Sequence, residues 1–166
     1  MLDPSAGQFT IIATNQAHLP RPSPESLKSH SLTFRAGAGA LSSIRNDGFD
    51  ISKVGTIAGA SGGAKWLVLS QLDRAILGNL VPNMNGPVHL IGSSIGSWRF
   101  ACYAQQDPVA AIERLERAYL EQTYTEKPDI HEITAKSREI LEYVLGDTGV
   151  DEILSNPLFR MHVMAV

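Results

Sequence analysis

Two serines in this chain sit in patterns that can turn a hydroxyl into a nucleophile. Gly59-Ala60-Ser61-Gly62-Gly63 and Gly92-Ser93-Ser94-Ile95-Gly96 both fit Gly-x-Ser-x-Gly. A chain with this glycine and serine content would show the pattern roughly 0.1 times by chance. The chemistry it serves is acyl transfer. A sharp strand-to-helix turn holds the hydroxyl clear of the sheet, and flanking glycines admit the neighbouring strand and helix. The helix start supplies free N–H groups and a positive dipole end, both suited to a developing oxyanion. Each copy follows an apolar run and precedes a helical pattern. The competing reading for each serine is a tight turn whose small residues serve packing alone.

A third glycine-rich stretch, Arg35-Ala36-Gly37-Ala38-Gly39, follows the apolar Leu32-Thr33-Phe34. As a dinucleotide-binding turn it lacks its third glycine, since Ser42 stands there. An acidic residue about 20 positions on is also missing, because Ala58, Gly59 and Ala60 occupy that region. A phosphate loop of the Gly-Lys-Ser/Thr kind is excluded as well, because Ala64 precedes Lys65. What remains is a loop whose backbone N–H groups could face an anion or oxyanion, or a plain turn.

A serine hydroxyl needs a base. Asp47-Gly48 precedes both serines and reads as the capping turn of a helix. Asp73, Asp107, Asp129, Asp147 and Asp151 follow Ser61, and none precedes a glycine. His89 falls within an apolar strand pattern, His162 alternates within another, and His131 opens a helix; each has a structural reading. No His, Cys, Asp or Glu spacing suggests a metal, and no cofactor is expected. The single cysteine, Cys102, lies in an apolar helical pattern and reads as a buried thiol.

These residues need elements to hold them. Leu32–Phe34, 53–58, 87–91 and 159–166 read as short strands, with a further short one over 8–14. Leu41 and Ile44 have helical spacing, stopped by Gly48. Helices are predicted over 62–77, closed by Gly78, over 95–105, and over 130–145, closed by Gly146. Asp107-Pro108 signals another helix start, with Ile112, Leu115 and Tyr119 on one face and Glu113 paired with Arg117. Short apolar strands alternating with helices predict an α/β fold with a mainly parallel sheet, which needs helices on both faces.

The chain's 166 residues suit one domain with a real core, and its 43% hydrophobic content is ordinary for a globular protein. A net charge of −3 argues against a nucleic-acid partner. No apolar run approaches the ~20 residues that span a bilayer, and no signal-peptide pattern opens the chain. The expected compartment is the cytoplasm. Residues 1–30, with three prolines in "HLPRPSPESLKSH", read as a tail or linker, and 31–166 as the folded part.

The order strand, glycine loop, helix, "DGFD", strand, "GASGG", helix resembles the patatin-like phospholipases, most clearly from Phe34 to Leu69. "GSSIGSWRFACYAQQDPVAAIERL" extends the resemblance, towards a bacterial branch of that family, to about Tyr124. The resemblance implies a serine acyl hydrolase of three-layer α/β architecture, acting on lipid acyl esters through a Ser–Asp dyad, with peripheral membrane contact. It puts Ser61 at the nucleophile position, Gly59 and Gly63 in the elbow, and Gly37, Ala38 and Gly39 at the oxyanion hole. Alanines stand here where the family shows consecutive glycines. Ser94 is the secondary candidate, as a turn beside the first elbow or a lining of the acyl site. The family's downstream Asp-Gly-Gly or Asp-Gly-Ala has no counterpart, so the chain is expected to be an N-terminal portion with very low activity. Arg35, Lys65 and Arg99 lie near the turns and could hold an anionic head group. The alternative function is a non-catalytic lipid- or anion-binding module built on the same glycine loop and helix N-termini.

Overall fold

The computed structural model describes residues 9–13 and 35–165. Within them, four parallel strands form one sheet in the order β1 (Phe9–Ala13), β2 (Val54–Gly59), β3 (Val88–Ser93) and β4 (Phe159–Met164). The helices are α1 (Ala38–Asp47), α2 (Ser70–Ala75), α3 (Ile95–Tyr103), α4 (Pro108–Glu121), α5 (Ile130–Leu145) and α6 (Gly149–Ser155). This is the expected α/β class with a parallel sheet. Leu32–Phe34, expected to be a strand, lies outside the described residues. The strand expected over 8–14 is β1, so that piece of the N-terminal segment joins the sheet beside β2.

The core is built where the apolar periodicities meet. Val88 and Leu90 alternate along β3 and are fully buried, as is Val54 at the start of β2. α3 lies across β2, β3 and β4 and sends Phe100, Cys102 and Tyr103 into the same cluster. α4 backs α3 with Ala111, Ile112 and Leu115, all fully buried, and α5 adds Ile140 and Val144. Tyr119 is partly buried and meets Trp66 edge to face at 5.9 Å. Glu113 does not select Arg117 as the spacing predicted; it lies 3.8 Å from Arg74, because α2 packs against this side of α4.

The termini follow the capping rules. Asp107 accepts a hydrogen bond from the Ala110 N–H at 3.0 Å, and Asp129 from the Glu132 N–H at 2.8 Å. Gly48 and Gly146 close α1 and α5 with positive φ. Asp107→Ala is expected to lower stability by about 1 kcal/mol, measured as a shift of the urea midpoint at unchanged slope.

One expectation needs correction. The helix expected over 62–77 is not one α-helix. It runs as a 3₁₀ segment (Gly63–Leu69), then α2, then a π turn (Ile76–Leu80) and a final 3₁₀ turn (Val81–Asn83). Gly62 and Gly63, the latter at φ +53°, set an irregular start, and Gly78 lies inside the π turn instead of ending the helix. The layers are described in part. Along β3 and β4 the helices α3 and α4 cover one side only. On the other side His89, Ile91, Arg160, His162 and Met164 are exposed, so three layers are not seen there among the described residues. His89 Nδ1 and His162 Nε2 are 2.8 Å apart on that open side.

Candidate functional site

Both serine turns leave the sheet at the same level. In the parallel pairing of β2 with β3, Gly59 stands opposite Gly92. The chain then turns at 60–62 after β2 and at Ser94 after β3. Sites in parallel α/β sheets form at this carboxyl edge. The two turns touch: a Cβ on Gly96 would lie 2.2 Å from the Gly59 carbonyl oxygen and 3.0 Å from that of Ala60.

The elbow geometry belongs to Ser94. Its φ of +50° and ψ of −126° make it the one non-glycine residue with positive φ among the described residues. Such a backbone costs about 1–3 kcal/mol for an L-residue and persists only where the surroundings enforce it. The surroundings do so here. A Cβ on Gly92 would fall 2.5 Å from the Ser97 Cα, so strand and helix approach each other too closely for any side chain. Gly96 is held equally close to the neighbouring turn. Both glycines of Gly92-x-Ser94-x-Gly96 are therefore required by sterics. Ser94 is the N-cap residue of α3, yet its side chain makes no capping hydrogen bond, and the residue is exposed. The hydroxyl is left free at the mouth of a nine-residue helix.

Ser61 is placed differently. It is exposed and has no positive φ. The residues after it enter a 3₁₀ segment, not an α-helix, so an α-helical N-terminus does not face its hydroxyl. Gly59 is needed there, since a Cβ would meet the Phe100 ring at 2.8 Å. Gly63 is needed for its positive φ, although nothing crowds it. Ser61 lines a small cleft of about 40 Å³ with Ala60, Gly62, Lys65, Trp66, Ile95 and Arg99. The Trp66 Nε1–H is buried and has no hydrogen-bond partner. The Gly59–Gly63 stretch is thus the loop beside an elbow, and its backbone faces the turn that carries Ser94.

Gly37, Ala38 and Gly39, expected at an oxyanion hole, stand exposed at the start of α1. Gly37 is the N-cap residue and its carbonyl accepts from the Leu41 N–H at 2.8 Å. Open space surrounds both glycines.

Arg99 is also not the free cation the sequence suggested. It is 4% exposed and forms a forked ion pair with Asp73, which is 0% exposed. Arg99 Nε donates to one Asp73 oxygen at 2.8 Å and Nη2 donates to the other. The Tyr103 hydroxyl, 2% exposed, donates to Asp73 at 2.8 Å. Burial pulls the Arg99 guanidinium down, but the hydrogen bonds and charge of Asp73 override it and hold it above its ordinary value. Burial, and then the Asp73 charge, push the Tyr103 phenol well above its usual range. This cluster escapes sequence reading because its members are 26 and 30 positions apart. The only local signal was charge inside two otherwise apolar helical patterns.

No carboxylate or imidazole among the described residues is hydrogen-bonded to either serine. Among the described residues neither hydroxyl has a recorded hydrogen bond. Asp73 is occupied, and Asp107 and Asp129 cap helices. His162 pairs with Ile91 in register, three residues short of Ser94, which is about 10 Å along the strand. The histidine pair is thus out of reach. Among the described residues no group of three or more His, Cys, Asp or Glu could hold a metal, and no helix is long and apolar enough to cross a membrane.

Cys102 is fully buried, as expected. Burial pushes its thiol from 9.0 up to about 12. A raised thiol favours the neutral form when folded, so its contribution to stability is intact below pH 9 and is lost as pH climbs towards 12. At pH 8.5 the folded chain should resist iodoacetamide at least about 100-fold better than the urea-unfolded chain, measured by mass spectrometry. In comparisons with known proteins, no family model, no curated protein and no solved structure matched the chain.

Proposed function

We propose that this chain carries the nucleophile of a serine acyl hydrolase of patatin-like type, with Ser94 in that role in place of Ser61. The observation that carries the reading is the Ser94 backbone, at φ +50° between two glycines that close packing demands. A strained serine at a strand-to-helix turn is the arrangement that exposes a nucleophile and places the next N–H groups behind the forming oxyanion. The Gly59–Gly63 loop beside it forms the neighbouring wall of the cleft, with Ser61 as a lining hydroxyl. The substrate class, a lipid acyl ester met at a membrane surface, rests on the resemblance to the patatin-like family. No cofactor enters the reaction.

The serine would attack the ester carbonyl, form the acyl-enzyme and release the alcohol; water would then release the acid. With no base hydrogen-bonded to either serine among the described residues, both steps are expected to be slow, since the oxyanion site and binding alone retain only a residual part of such catalysis. The test is therefore covalent and reads the first, slow step alone, with long incubation at high probe concentration to offset the unaided hydroxyl. A fluorophosphonate probe incubated with the full chain should phosphonylate one serine, and peptide mapping should place it at Ser94. Labelling at Ser61 restores the original assignment; labelling at neither serine ends the hydrolase reading.

A further inference from the structure

The two serine turns are each followed by a helical segment, and those segments are joined by the buried Asp73–Arg99–Tyr103 cluster. Asp73 lies on α2, reached through Gly63–Leu69 directly from the 60–62 turn. Arg99 and Tyr103 lie on α3, whose first residue follows Ser94. At the near end, Gly96 rests against the Gly59 carbonyl. At the far end, the carboxylate of Asp73 takes three hydrogen bonds from α3: two from the Arg99 fork and one from the Tyr103 hydroxyl. Arg99 also lines the cleft beside Ser61.

We infer that Asp73, Arg99 and Tyr103 form a positioning latch that fixes the Gly59–Gly63 loop at one height against the Ser94 turn. A well-packed apolar set of the same volume would stabilise an α2–α3 contact at least as well, because desolvation offsets most of what a buried ion pair gains. A forked, fully satisfied pair adds direction. The planar guanidinium accepts one carboxylate geometry, so α2 has one seat on α3. That matters where the cleft wall on one segment must place a substrate against a hydroxyl held by the other, since errors near 1 Å in such placement cost about 100-fold in rate. Other contacts bracket the same segment. Ser70 donates to Glu116 at 3.3 Å, Arg74 pairs with Glu116, and Trp66 meets Tyr119. These tie α2 and the 3₁₀ segment before it to α4, not to the elbow helix; the latch is the polar tie to that helix, added to the backbone contact of Gly96 with Gly59.

The latch is tested on the full chain by two variants and two readouts. Arg99→Lys keeps the charge but not the fork. Tyr103→Phe removes one hydroxyl and is the milder change, so it keeps the test alive if the lysine variant does not fold. Asp107→Ala, a cap variant remote from the latch, serves as the control for loss of stability in general. Hydrogen exchange should speed up at the amides of 60–69 in both latch variants and not in Asp107→Ala, with β3 amides unchanged throughout. The rate constant of fluorophosphonate labelling at Ser94 should fall about tenfold or more in Arg99→Lys, and less in Tyr103→Phe.

The kinetic arm rests on Ser94 being the nucleophile; the exchange arm does not. If the wild-type chain takes no label, the hydrolase reading falls and exchange at 60–69 still decides the latch. A folded latch variant with wild-type exchange at 60–69 overturns the proposal. So does a loosened loop with an unchanged labelling rate, which would leave the cluster a purely structural tie.

Discussion

Ser94→Ala removes fluorophosphonate labelling of the full chain by at least about 100-fold, whereas Ser61→Ala leaves most of it in place. The magnitude follows from what each hydroxyl is given. Ser94 sits at the N-terminus of α3 with its side chain uncommitted, so its oxygen can attack phosphorus while the helix-start N–H groups stabilise the displaced charge. Alanine deletes the attacking atom and nothing remains to form the bond. Ser61 lies beside this reaction, and its loss trims the cleft wall. Alanine at 94 must also adopt positive φ, so the variant's fold is checked by circular dichroism before labelling is scored. Wild-type labelling that persists in folded Ser94→Ala and vanishes in Ser61→Ala would return the nucleophile to position 61.

Gly96→Ala is the substitution expected to damage the fold most for its size. The added carbon would lie 2.2 Å from the Gly59 carbonyl oxygen and 2.6 Å from its carbon. Those are backbone atoms of the neighbouring strand, and no side-chain rotation can relieve the clash. Inserting a methyl group into a packed site costs about 1–3 kcal/mol when side chains can shift. Here the sheet and α3 must separate, so the loss should reach or exceed the top of that range. Gly37→Ala is the matched control, because open space surrounds that position. Urea unfolding of the two variants should give a large downward shift for Gly96→Ala and a change within about 0.5 kcal/mol for Gly37→Ala.

The sequence carried the alternation of strands and helices and nearly every boundary that has a chemical stop sign. α5 runs from Ile130 to Leu145 because Asp129 and Gly146 mark its ends, and α4 begins at Pro108 behind Asp107. The segment after Ser61 was misread for the same reason. Gly62 and Gly63 look like room for an elbow, but they give the chain a 3₁₀ course, and Gly78, a stop sign elsewhere, was absorbed in a π turn. α6 was missed outright: seven residues from Gly149 to Ser155 are too few for periodicity to show. Both Gly-x-Ser-x-Gly motifs were visible. Which one is strained was not, because the φ of Ser94 is imposed by Ser97 and by Gly59 on a neighbouring strand. The Asp73–Arg99–Tyr103 cluster was hidden for the same reason, since only packing brings α2 and α3 together.

The alignment of Gly59 with Gly92 has a consequence for how this chain can change. A slip of one residue between β2 and β3 would turn every side chain on one strand to the opposite side and lift one serine turn about 3.3 Å above the other. The stretch from 78 to 87 lies beyond both the serine turn and Asp73 and can lengthen or shorten without disturbing that level, whereas a single insertion inside either strand abolishes it. Divergent forms of this chain should therefore vary in length within 78–87 and hold constant the count of residues from Val54 to Asp73 and from Val88 to Ser94.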